Sequence, residues 1–148
     1  YFIFFVFIVL FLALMVSSTR WKLSKDRINS LNVAGFAVYE KKSVSATAKL
    51  KAGETLAIPI SSSVFLNDQE IHLIPNEFHL FLFMTDFPFS FYKKDNKKVK
   101  VLRSENNEIV FTSRKKKAST FGKMFEITIR VHNKDEKLEM LRKIKKWR

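Results

Sequence analysis

The chain has 148 residues, with 27 Lys or Arg against 14 Asp or Glu, a formal net charge of +13, and no cysteine. The missing cysteine excludes a disulfide framework, thiolate metal sites and cysteine catalysis. The basic excess favours a polyanionic neighbour, whether nucleic acid, anionic lipid headgroups or an acidic protein face, and does not choose among them.

Residues 1–19 read as a transmembrane helix. Tyr1 to Val16 is an unbroken apolar run, Ser17, Ser18 and Thr19 are uncharged, and Arg20 is the first charged side chain. At about 1.5 Å per residue such a helix spans about 28 Å, close to the hydrocarbon thickness of a bilayer. A cleaved signal peptide is the alternative. It would show a basic start, a shorter apolar stretch and a small-residue cleavage site, whereas bulky residues run here nearly to the polar boundary. An anchor is therefore expected.

Residues 20–31 form a basic juxtamembrane segment. Arg20, Lys22, Lys25 and Arg27 are opposed only by Asp26, and Trp21 sits at the depth of an interfacial aromatic. No charged side chain precedes the helix, so the positive-inside rule predicts that the C-terminal domain lies in the cytoplasm, matrix or stroma. Residues 22–29 are expected to prolong the helix by about two turns.

Residues 32–133 read as one β-rich domain. Two separate strands are predicted over 32–40 and 43–51, then a turn at 52–54. The strand at 55–61 contains Pro59, which suggests a sheet edge or a bulge. Asn67 and Asp68 turn the chain into a strand at 70–74. Residues 78–84 are apolar on both faces, as a central buried strand would be. Phe87, Phe89 and Phe91 share one face. Further strands are expected around Val99 and Val101, and around Ile109 and Phe111. The clearest half-buried strand sets Phe125, Ile127, Ile129 and Val131 against Glu126, Thr128, Arg130 and His132. Turn signals recur about every 8–12 residues, which suits a mainly β fold, a small sandwich or barrel-like domain. Only 3 glycines are present, so Asn and Asp must supply most tight turns.

Residues 134–148 change period. Leu138, Leu141, Ile144 and Trp147 recur at helical spacing, with Met140 beside them. Acids near the start and bases at the end suit the helix dipole. This basic amphipathic helix is expected to dock on a partner or on its own sheet.

The chain shows no catalytic pattern. His72, His79 and His132 read as ordinary strand residues rather than metal ligands. Gly35, Gly53 and Gly122 are isolated, so no phosphate-cradling or dinucleotide-binding loop is present. No enzymatic role and no cofactor are expected. The basic clusters are the stronger signal. Lys93, Lys94, Lys97, Lys98, Lys100 and Arg103 surround a predicted hairpin, and Arg114, Lys115, Lys116 and Lys117 form a second cluster. They could neutralise phosphates without reading sequence, face an anionic leaflet, or guard a sheet edge against pairing.

Ile58, Pro59, Val64, Glu70 to Leu73 and Leu80, with Asn107 to Val110 and Gly122, make part of the chain resemble the first repeat of the large-subunit ribosomal protein six family. The family's glycine after the second strand and its second repeat are missing. The resemblance implies RNA contact at an organellar ribosome. Composition also bears on the source: Phe occurs 16 times, Gly and Pro 3 times each, a bias toward A/T-rich codons of the kind an organellar genome carries. No Asn-x-Ser/Thr acceptor occurs. The chain opens on Tyr1, so a processed, partial or unconventionally started chain is expected. The favoured expectation is a non-catalytic accessory subunit of a large membrane complex, of the respiratory or ATP-synthase type in the mitochondrial inner membrane. Its expected partners are other subunits and the lipid bilayer. The alternatives are an RNA-contacting protein of a membrane-associated organellar ribosome and a membrane-anchored assembly factor.

Overall fold

The computed structural model describes residues 1–49, 55–94, 100–104, 106–112 and 123–145. The protein is mainly β with two helices. Helix α1 spans Phe2–Ser30, so the apolar run and the juxtamembrane segment are one continuous helix. The strands are β1 (Ala37–Lys49), β2 (Thr55–Leu66), β3 (Glu70–Pro75), β4 (Phe89–Tyr92), β5 (Lys100–Arg103), β6 (Glu108–Thr112) and β7 (Lys123–Arg130), followed by α2 (Lys134–Lys145). They form one antiparallel sheet in the order β4-β3-β2-β1-β7-β6-β5. The sheet is curled into a half-barrel. The curl brings Phe91 of β4 edge-on against Phe111 of β6, with ring centroids 6.1 Å apart, although four strands separate them in the sheet.

The concave face holds the core. Val44, Ile60, Val64, Ile71, Leu73, Phe89, Phe91, Ile109, Phe111, Ile127 and Ile129 are buried together there. Alternation with period two selects one face of each strand for this role. Helix α2 covers the same core with Met140, Leu141 and Ile144. Lys137 reaches back to donate hydrogen bonds to the carbonyls of Ser104 and Asn106. At the first turn of α2, Glu136 meets Lys42 at 2.7 Å. Burial, and next the carboxylate of Glu139, push the Tyr39 phenol above its ordinary pKa, so it stays neutral.

Three expectations are corrected. The two strands predicted over 32–40 and 43–51 are one strand, β1, with a bulge between Tyr39 and Lys42 where Lys41 takes a positive φ of 53°. Lys41 and Lys42 separate the two apolar segments in the sequence, but pairing with β2 continues on both sides of them. The strand also starts later than expected, because residues 33–35 form a short 3-10 turn before it. The third correction concerns residues 78–84. Leu80–Met84 is a 3-10 helix packed against α1, not a central strand.

Other expectations correspond to the structure. Pro59 pairs with Ser45 of β1, and the β3 pairing begins only at Ser62, so among the described residues Pro59 has no strand on its other side. Asn67 closes its turn by accepting the amides of Gln69 and Glu70 on its side-chain oxygen. Asn106 takes a positive φ of 51° in the β5–β6 turn, a role open to Asn where glycine is scarce.

Candidate membrane interface

The first half of α1 is bare. Phe4, Phe7 and Phe11 are 61–71% exposed, Met15 on the same face is exposed too, and so are Phe5, Leu10 and Leu12 on other faces. A helix apolar on every side has no aqueous face to offer. It is the one helix among the described residues long and apolar enough to cross a membrane.

One stripe of α1 is different. Ala13, Ser17 and Ser24 are buried, and Arg20 and Arg27 are half-buried. The spacing of four, three, four and three residues keeps them on one face. Small side chains along that stripe let the domain's backbone approach the helix. The Ser17 hydroxyl donates to the Leu80 carbonyl at 2.5 Å and accepts from the Phe83 amide at 3.1 Å. The rest of the turn is bonded within itself. The Phe81 amide donates to Nδ1 of His79, the Leu82 amide to the His79 carbonyl, and the Thr85 amide to the Leu82 carbonyl. Leu82 belongs to the core and is fully buried.

The juxtamembrane residues divide into two groups. Arg20 donates to the Phe87 carbonyl at 3.4 Å, and Arg27 to the Pro88 carbonyl at 2.9 Å. Together they clamp α1 to the segment entering β4. Trp21 packs partly against the core. Lys22 and Lys25 face outward, and the Lys25 ammonium lies 5.2 Å from the Trp21 ring centroid. Sequence reasoning found the basic collar but missed Ser17 and Ser24. The recurrence of small and polar residues along one helical face, Ala13, Ser17, Ser24, was the available signal.

The basic clusters are only partly described. Lys93 and Lys94 follow edge strand β4, and Lys94 lies 5.9 Å from the Tyr92 ring centroid. Lys100 and Arg103 lie on β5, the opposite edge strand, which forms a hairpin with β6. These four therefore mark both edges of the sheet. Lys97, Lys98, Arg114, Lys115, Lys116 and Lys117 lie outside the described residues, as does Trp147. In α2, Leu141 and Ile144 are spent on the domain's own core, because that face lies over the open concave side of the sheet. Of the expected docking residues that are described, Leu138 alone stays exposed.

His72 is enclosed within β3. Its Nδ1 lies 2.7 Å from the Ser90 hydroxyl and its Nε2 3.2 Å from Glu70. Burial lowers its pKa below the usual histidine value; Glu70 opposes that shift and Arg27 adds to it. Among the described residues no three His, Asp or Glu side chains converge as a metal donor set.

The sequence matches no family model and no curated protein. The likeness to the ribosomal family thus rests on its few residues, one of which, Leu80, lies in the 3-10 turn rather than in a strand.

Proposed function

We propose that this chain is a single-pass membrane protein and a non-catalytic accessory subunit of a larger membrane complex. The observation that supports this reading most is the division of α1. Its first half exposes large apolar side chains on all sides, while its second half is hydrogen-bonded to the β domain. Such a helix anchors the domain and also sets its height and orientation at the bilayer, which suits a part with a fixed place in an assembly. Under the positive-inside rule, Arg20, Lys22, Lys25 and Arg27 favour the cytoplasm or an organellar matrix for the domain. The A/T-biased composition supports the mitochondrial inner membrane and a respiratory or ATP-synthase type of complex.

The test uses native membranes solubilised in mild detergent. The chain is followed by mass spectrometry through a sizing gradient, with and without ribonuclease. Migration in a large, nuclease-resistant particle with other membrane proteins is expected. A shift with rRNA after nuclease treatment would replace this reading with the ribosomal one. Migration as a free small particle, with only transient clients, would favour an assembly factor.

A further inference from the structure

We infer that the turn Leu80–Met84, with Phe78 before it, is a second membrane-inserting element that dips into the leaflet beside α1. This deepens the single-pass reading and rests on it. Depth is the first consideration. Arg20 is the first charge on α1, and Ser17, which holds the turn, lies about 4.5 Å closer to the apolar end along the helix axis. Ala13, buried on the same face, lies about 10 Å closer. If α1 crosses the bilayer with Arg20 at the boundary, the turn is below that boundary.

The chemistry of the turn fits that depth. Residues 78–85 carry no Lys, Arg, Asp or Glu, and Glu77 and Asp86 bound the run at either end. Phe78, Leu80 and Phe81 are 39–48% exposed, an apolar patch beside the bare face of α1. Irregular backbone is tolerated at membrane depth only where its polar groups find partners inside the protein. Here the amides of Phe81, Leu82, Phe83 and Thr85 and the carbonyls of His79, Leu80 and Leu82 all have such partners. In water the exposed aromatics of this turn would be poorly solvated; against acyl chains they lose nothing. The occupant of this patch is lipid.

The native chain has no cysteine, so single-cysteine variants can be labelled cleanly. Phe81→Cys and Phe78→Cys would carry an environment-sensitive fluorophore in the full chain, reconstituted into phosphatidylcholine vesicles containing phosphatidylglycerol. Both positions are exposed, so either variant is expected to fold. Leu12→Cys reports on α1 and Lys134→Cys on the aqueous domain. Quenching is compared for iodide, for nitroxide-lipid labelled near the headgroup, and for nitroxide-lipid labelled near the midplane. The expected result is a blue-shifted Phe81 or Phe78 label quenched most by the shallow nitroxide, a Leu12 label quenched most by the deep one, and a Lys134 label quenched by iodide alone. If the turn labels respond only to iodide while Leu12 stays deep, the anchor stands and the insertion is overturned; the patch is then a docking face for a partner protein. If Leu12 itself responds to iodide, the single-pass reading fails and the insertion fails with it.

Discussion

Ser17 donates a hydrogen bond to the carbonyl of Leu80 at 2.5 Å, joining the apolar helix to a turn 63 positions further along the chain. The same oxygen receives the Phe83 amide at 3.1 Å. One hydroxyl thus closes both a donor and an acceptor in an apolar setting. Ser17→Ala removes this partner from both, at an expected cost of about 1–3 kcal/mol. Ser17→Thr keeps the hydroxyl and should lose less. Thermal unfolding of the detergent-solubilised chain distinguishes them, and equal melting temperatures for Ser17→Ala and the native chain would sink the idea.

Arg27→Ala tests the clamp above the turn. The guanidinium lost from the Pro88 carbonyl should cost about 1–2 kcal/mol, because the donor is charged and half-buried. Lysine restores the charge but not the planar fork, so Arg27→Lys should recover only part of it. Hydrogen exchange over residues 24–30 is the readout, and protection should fall there first.

The buried His72 makes stability depend on pH. Its folded pKa lies below the unfolded value of 6.5, so between the two the unfolded chain binds the extra proton. Its contribution is fully present above about 6.5 and is lost as pH falls below it toward the folded pKa. Denaturant titrations at several pH values should show that slope, and His72→Gln should flatten it.

Glu136→Gln leaves the ammonium of Lys42 nearly enclosed, at 10% side-chain exposure, without its anion. The expected cost is about 1–2 kcal/mol, since Glu136 itself is partly open to water. The double variant Lys42→Met with Glu136→Gln should recover much of the loss. Urea unfolding of Glu136→Gln, Lys42→Met and the double variant checks this, and additive losses would show that the pair is not coupled.

Local periodicity made much of this protein legible. The apolar run of α1, the alternation of Ile127, Ile129 and Val131, and the acidic start of α2 are each written into neighbouring residues, because helix and strand repeat at different periods. What covers a face is not a local property. Residues 78–84 are as apolar as a buried strand, and only the place of α1 beside them makes them a turn against the helix. Two short segments fused into β1 because β2 pairs across the bulge. Leu141 and Ile144 went to the core because the curled sheet left a concave face to fill. For residues 78–84 and for α2 the sequence supplied an apolar surface and the tertiary structure chose its neighbour, since burial energy follows the area removed from water and is indifferent to which group removes it; for β1 it was the backbone pairing with β2 that joined the two segments.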